Sequence, residues 1–315
     1  MKVALAGEGA IGRKHLDAIA QIDDVEVGLL VGKEPDAVAR VAAEYGIADT
    51  ASDLGEALSR TDIDAVILAT PTPLHAEQAI EVLRAGKHVL VEIPVSESLA
   101  DARAVAEAAE ESGAVAMVAH TRRFNPGHRW LHRQFESGEL VLQHLVAETF
   151  FFRRENINAN GEPRSWNDHL LWHHACHSVD LFAHQTGAPV AAVQGFAGPV
   201  SETMGIYTDL SVSAASESGA LLSLAVSFNN DGPLGTTFRY ICDKGTFIAR
   251  YDDLVDGYGN PVDTGEDAAM DGIRRQDEEF AEAIRQGREP ESSAAQAVAT
   301  MELLDRIERS LPAVR

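Results

Sequence analysis

Five histidines and one aspartate fall within sixteen residues, HLLWHHACHSVDLFAH at 169–184. Imidazole changes charge near neutrality, so this density points to proton transfer, to a metal, or to packing. At roughly 100° per helical residue, His173, His177, Asp180 and His184 share one stripe, with His169 at its edge and His174 off it. Leu170, Leu171, Val179, Leu181 and Phe182 supply the apolar faces. His-x3-His spacing suits zinc, but a stripe of about 16 Å is too long for one metal to use, and the chain has no HExxH. No metal is expected. The sequence predicts one regular helix whose polar face handles a proton or a substrate.

A second chemical feature precedes it. Residues 120–166 hold seven arginines (122, 123, 129, 133, 153, 154 and 164), no lysine and five glutamates, a local charge of +2. The whole chain of 315 residues carries −23, from 26 basic and 49 acidic side chains. Arginine presents a planar fork that grips carboxylates. Either these arginines pair with the chain's own acids or they line a pocket for a small dianionic substrate. Arg122, Arg153, Arg154 and Arg164 are the candidates, with Asn229 and Asn230 of SFNND as amide donors. On an extended strand neighbours face opposite ways, so one arginine of each Arg-Arg pair should point inward.

The bulk numbers narrow the class. The acidic balance argues against nucleic acid and anionic membranes as partners. A 45% hydrophobic content suits two globular domains. Two cysteines, Cys176 and Cys242, without a CxxC, fit a reducing cytoplasm, and Cys176 reads as inert packing. The N-terminal apolar run is too short for a signal peptide, and no run approaches the length of a membrane span.

The elements that must position these groups are legible. Residues 2–6 read as a buried strand, followed by Gly7, Gly9 and Gly12 and then an amphipathic stretch to about 22. Strand, glycine turn and helix in this order form a pyrophosphate site, with Ala10 and Ile11 opening the helix. Strand-like runs follow at 25–31, 64–70, 88–93 and 114–119, separated by helical stretches at 35–45, 74–85 and 99–112. This alternation predicts an α/β doubly wound parallel sheet, a Rossmann domain over 1–120. Cofactor residues then belong at the carboxyl ends of the strands: Thr70, Pro71 and His75 after one, Glu92 and Ile93 after another. The second strand ends in Gly32 and Lys33 instead of an acid. Lys33 would pair with a 2′-phosphate, which favours NADP over NAD; the other reading makes Lys33 an exposed turn residue and gives the ribose to Glu34.

Residues 121–290 read as a substrate-binding and oligomerisation domain of α+β type. It would combine a helix at 125–138, strands at 140–154, 189–198, 206–216, 220–228, 234–243 and 245–250 forming a largely antiparallel open sheet, and the histidine helix on one face. The acidic stretch 251–272 reads as a solvated loop. Helices at 272–287 and 291–311 close the chain, and the last is expected to pack back on the first domain.

Together GEGAIGRKHL, ATPTPLHAEQAI, GKHVLVEIP, HTRRFNP and the histidine helix resemble the Gfo/Idh/MocA oxidoreductases along the whole chain. The resemblance implies hydride transfer between NAD(P) and a hydroxyl or hemiacetal carbon, and a homodimer or homotetramer built on the second sheet. It also exposes a departure. The family's Glu-Lys-Pro, with its catalytic lysine, is here Glu92-Ile93-Pro94, and its helical Asp and His are here His173 and His177. With the lysine gone, His177 is the expected base, with His173 or His174 supporting it. A narrower resemblance runs through FFRRENINANGEPRSWNDHLLWHHACHSVDLFAHQTG and SFNNDGPLGTTFRYICDKGT. It is to dehydrogenases of aromatic catabolism that oxidise the cyclic hemiacetal of a ring-cleavage semialdehyde to a lactone dicarboxylate, with Trp166 and Trp172 either facing the flat ring or packing in the core. A sugar or polyol dehydrogenase and a non-catalytic NADP-binding sensor are the alternatives.

Overall fold

The computed structural model describes residues 1–157, 161, 163, 164, 166–266 and 271–312. They form two compact units, Met1–His120 with Ile273–Ala299, and Thr121–Gly272 with Thr300–Arg315.

In the first unit, strands β1 (Lys2–Ala6), β2 (Glu26–Val31), β3 (Thr50–Ala51), β4 (Ala65–Leu68), β5 (His88–Val91) and β6 (Ala116–Val118) alternate with helices α1 (Ala10–Ile19), α2 (Pro35–Tyr45), α3 (Leu54–Ser59), α4 (His75–Arg84) and α5 (Leu99–Ser112). The strand order is β3-β2-β1-β4-β5-β6, all parallel, as in a dinucleotide-binding sheet. Ala4, Leu5, Val66, Leu68, Val89 and Leu90 are fully buried, because helices cover both faces of a parallel sheet and leave no polar side for alternation to record. The short β3 and α3 were not anticipated; two strand residues and a six-residue helix are below what periodicity can register.

The second unit contains α6 (Pro126–Glu136), β7 (Leu142–Phe150), α7 (Cys176–Thr186), β8 (Val190–Ala197), β9 (Asp209–Ser216), β10 (Leu221–Ser227), β11 (Gly235–Cys242), β12 (Gly245–Arg250) and β13 (Asp253–Asp256). The sheet order is β13-β12-β11-β7-β10-β9-β8, antiparallel throughout except for the parallel pair β7–β10. Leu145, Ala147 and Thr149 of β7, Leu222, Leu224 and Val226 of β10, and Thr236, Phe238 and Tyr240 of β11 are buried in strict alternation. That is the signature of a sheet with one face on the core. Helices α8 (Gly272–Gln286) and α9 (Ala294–Ser310) close the chain, and the boundary between the units falls within α9, after Ala299.

Two expectations are corrected. β13 lies inside the stretch read as a loop: between its acids Leu254 is buried, and its Cβ sits 3.0 Å from where a side chain at Gly127 would begin. More important, 169–184 is not one regular helix. Leu170–Ala175 forms a π-helical turn and only then does α7 begin. A π turn holds more residues than the 3.6 of an α turn, so the 100° spacing that defines the stripe does not apply across 170–175.

Candidate active site

The first unit builds a cradle for a dinucleotide from backbone constraints. Gly7 has φ +112°, and a Cβ there would stand 2.3 Å from the Ala69 carbonyl oxygen. A Cβ on Gly12 would stand 1.9 Å from the Gly7 oxygen, so the loop and α1 can pack this closely only as glycine. Gly9 differs: nothing lies within 4 Å of its Cβ position, which leaves open space over the N-terminus of α1. That helix has no acidic residue in its first turn, and Ala10 and the exposed Ile11 begin it, so its free N–H groups and dipole face outward for an anion. These residues fit a pyrophosphate. Lys33 and Glu34 are both exposed beyond the tip of β2.

The loops at the ends of β4 and β5 are tied together by His75. Its Nδ1 lies 2.8 Å from the Pro94 carbonyl oxygen and its Nε2 2.7 Å from that of Thr70, and the ring is buried. Burial pushes its pKa down. His75 therefore packs between Thr70 and the Ile93–Pro94 segment, and as a neutral ring it donates to one of these two carbonyls at a time. Thr70 donates its hydroxyl to Gln78 at 2.6 Å. Glu92 is engaged from behind: His15, fully buried, bridges Glu92 at 3.1 Å and Asp277 at 2.8 Å. Burial alone would lower the imidazole, but the two carboxylates outweigh it and push His15 up to about 10. His15 and Asp277 were not singled out in the sequence, because no spacing rule joins residues 262 positions apart.

The second unit gathers the other candidates around a residue that sequence reasoning missed. Asp168 is buried and accepts from the guanidiniums of both Arg153 and Arg164, while His174 Nε2 lies 2.9 Å from its other oxygen. Arg153 also lies over the rings of Phe228, at 4.9 Å, and Phe151, at 5.4 Å. His174 contacts the same two rings. Burial, reinforced by Arg153 and Arg164, pushes His174 down to about 3, so it is neutral and donates from Nε2. Burial and the neighbouring Arg164 lower Arg153 to about 10, still cationic at neutral pH. The clue in the sequence was the i,i+4 spacing of Arg164 and Asp168 just ahead of the histidines.

The remaining residues divide. Arg154 is exposed, lies 4.4 Å over Phe152 and donates to Asn229 Oδ1 at 2.5 Å. Asn229 in turn donates to Thr208 and to Asp209. Asn230 donates to the Pro233 carbonyl and so shapes its own turn. Arg122 stands with other partners, 3.4 Å from Asn125 and over the Tyr251 ring. Of the first Arg-Arg pair the buried member is Arg123, and it is committed to Asp180 through two hydrogen bonds, at 2.8 and 2.6 Å, with Thr300 donating a third to that carboxylate. Asp180 thus anchors α7 and does not extend a wet stripe. His184 stacks on His132 at 3.8 Å.

His173 accepts the His169 backbone N–H on Nδ1 at 3.0 Å and packs on Trp166 at 4.8 Å. The same Nδ1 lies 3.3 Å from the His169 carbonyl oxygen, so the backbone of His169 holds this edge of the ring and leaves Nε2 for other partners. His177 is half-buried on the opening turn of α7. Trp172 is core, with its indole N–H on Glu308, whereas Trp166 lies beside Arg164. Cys176 is fully buried and its thiol is pushed up. Among the described residues, no three His, Cys, Asp or Glu side chains are grouped to hold a metal, and no helix is long and apolar enough to cross a membrane.

Comparison with known proteins agrees with this division of labour. Residues 1–120 match the oxidoreductase family model with an NAD-binding Rossmann fold, and 126–268 match the C-terminal domain model of bacterial oxidoreductases. The chain is 54% identical over 312 residues, 99% of both chains, to 4-carboxy-2-hydroxymuconate-6-semialdehyde dehydrogenase of Sphingobium sp. (strain NBRC 103272 / SYK-6). It is 25% identical, over 62% of its length and 56% of the relative's, to scyllo-inositol 2-dehydrogenase (NAD(+)) of Bacillus subtilis (strain 168). Aldose-aldose oxidoreductase from Caulobacter crescentus, crystallised with glycerol, shares the fold with a TM-score of 0.87 at 19% identity, covering 98% of this chain and 97% of that one. The protein is a dehydrogenase that uses a nicotinamide cofactor and acts on a small molecule. It belongs to the Gfo/Idh/MocA oxidoreductase family.

Proposed function

We propose that this dehydrogenase oxidises the cyclic hemiacetal of 4-carboxy-2-hydroxymuconate-6-semialdehyde to 2-pyrone-4,6-dicarboxylate, with NADP as the preferred cofactor, in the cytoplasm and as a homodimer or homotetramer. The observation that carries this reading is the 54% identity across 99% of both chains.

The chemistry of the residues supports it. Arg153, Arg154 and Arg164 against Asp168 leave a charge of +2 in a chain of −23, and both substrate carboxylates need such a partner. The flat faces of Phe151, Phe228 and Trp166 lie beside those guanidiniums and suit a planar ring. A neutral polyol would gain nothing from that charge.

Gly7, Gly9, Ala10, Ile11 and Gly12 would hold the cofactor's pyrophosphate, Lys33 its 2′-phosphate, and Thr70, Pro71, Glu92 and Ile93 would border its nicotinamide end. A nicotinamide bound there would supply the acceptor for the hydride that leaves the hemiacetal carbon. The hemiacetal hydroxyl must lose its proton in the same step, and Ile93 cannot accept it. His174 is too weak a base at a pKa of about 3, and His173 is engaged through Nδ1 by the backbone of His169. His177 is therefore the base, with His173 donating to a substrate oxygen. The hemiacetal already carries the ring oxygen, so no covalent enzyme intermediate is needed, in accord with the buried Cys176. Mixing the protein with freshly made semialdehyde and NADP⁺ should give reduced nicotinamide at 340 nm, faster than with NAD⁺ and absent with inositol or glucose. Turnover of a sugar without turnover of the semialdehyde would overturn the substrate, and silence with every substrate would favour a sensor.

A further inference from the structure

The tip of β2 carries a carboxylate that belongs to another loop. In Rossmann domains that bind NAD, an acidic side chain at this tip accepts a hydrogen bond from the adenosine ribose 2′-hydroxyl. Here the tip is Gly32, directly after Val31 ends the strand. The position where a side chain would begin on Gly32 lies 2.2 Å from Oε2 of Glu8 and 2.8 Å from its Cδ. The volume of a strand-tip acid is thus filled by Glu8, the second residue of the glycine loop, backed by Val38, whose Cγ2 lies 2.7 Å from the same point. Arg13, the nearest arginine of α1 in sequence, is held by Glu44 at 2.7 Å and lies over Tyr45. Lys33 follows Gly32 and is exposed.

We propose that Glu8 reads the adenosine ribose and sets the balance between the two nicotinamide cofactors. Its carboxylate accepts from the free 2′-hydroxyl of NAD⁺ and opposes the dianionic 2′-phosphate of NADP⁺, so the preference that Lys33 confers is held below what Lys33 alone would give. Gly32 is part of the device, because any larger side chain there would expel the Glu8 carboxylate from the tip. The proposal rests on the reading of this loop as the dinucleotide site and of Lys33 as the phosphate partner.

Calorimetric titration of NADP⁺ and NAD⁺ into the wild type, Glu8→Gln and Lys33→Ala separates these readings without using turnover. The expected result for Glu8→Gln is a fall of about tenfold in the NADP⁺ dissociation constant and a several-fold rise for NAD⁺, the size of one charged contact. Equal changes for both cofactors, or none, would overturn the role of Glu8. Lys33→Ala should weaken NADP⁺ alone. A Glu8→Gln shift with no Lys33→Ala effect leaves Glu8 as the reader and removes Lys33 from the phosphate. A ratio of affinities is insensitive to partial unfolding, and Glu8→Asp, which shortens the reach but keeps the charge, should weaken NAD⁺ while leaving NADP⁺ disfavoured.

Discussion

One histidine of each unit, His15 and His174, contacts a carboxylate, yet the two are pushed in opposite directions. In the first, His15 sits between two carboxylates and is pushed up to about 10, a fixed cation behind Glu92. In the second, His174 sits with two guanidiniums and is pushed down to about 3; burial holds His128 at about 3 and His169 at about 4, each with a further push from a neighbouring basic group. One residue type serves as a permanent charge in one place and as a neutral donor in the other. The difference accords with the proposed roles of the two units. A dinucleotide site is made by backbone and a firmly held strand end. A site for a dianion needs cations that no buried imidazolium competes with.

The largest expected effect concerns His177, the proposed base. His177→Ala should reduce kcat by about 10²–10⁴, the range for a lost general base, with a smaller change in KM. Steady-state rates with the semialdehyde check this, and near-full turnover would return the role to His173 or His174. Next, Asp168→Asn removes the anion that holds Arg153, Arg164 and His174. Breaking a buried ion pair on one side costs about 3–5 kcal/mol, visible as a lower urea midpoint, and free guanidiniums should also change substrate affinity. The glycine loop provides a paired test in the first unit. Gly12→Ala forces a Cβ into the Gly7 oxygen and should lower stability by about 1–3 kcal/mol by overpacking. Gly9→Ala meets nothing in the free protein and should leave thermal unfolding unchanged while weakening cofactor binding.

The smallest effect is in pH. His15 titrates higher folded than unfolded, so its contribution is full below about 6.5 and is lost as pH rises toward about 10. His174, His169 and His128 titrate lower folded than unfolded, so their cost appears as pH falls below about 6.5 toward 3–4. Each single proton contributes a slope of at most roughly 1.4 kcal/mol per pH unit. His15→Gln should flatten only the alkaline limb of a stability-against-pH curve and His174→Gln only the acid limb. If both variants altered the same limb, the contrast between the units would fail.

Legibility followed the same divide. The Rossmann half could be read because its signals are local: a glycine triplet after the first strand, apolar runs at regular intervals, and Gly7 and Gly12 where the backbone closes on itself. The strands of the second sheet were also legible, since Leu145, Ala147 and Thr149 alternate as a half-covered strand must, but their order, with β7 central and parallel to β10, was not. The π turn at 170–175 could not be read, because a single extra residue in a turn leaves the hydrophobic pattern intact. Asp168 was passed over as one more acid in an acidic chain; its importance comes from Arg153 and Arg164 converging on it in space. Asp180 was placed in the catalytic stripe by spacing and is instead taken by Arg123, a partner 57 residues away. Glu8 was hidden as the variable residue of the glycine motif, significant only because Gly32 leaves room for it.

The central claim is that the arginines around Asp168 select a dianion. It is tested most directly by calorimetric titration of 2-pyrone-4,6-dicarboxylate into the wild type and into Arg153→Gln and Arg164→Gln. The account predicts binding to the wild type, weakened about tenfold or more in each variant, as for a lost charged hydrogen bond. Equal affinity in all three proteins would contradict it and place the dicarboxylate elsewhere.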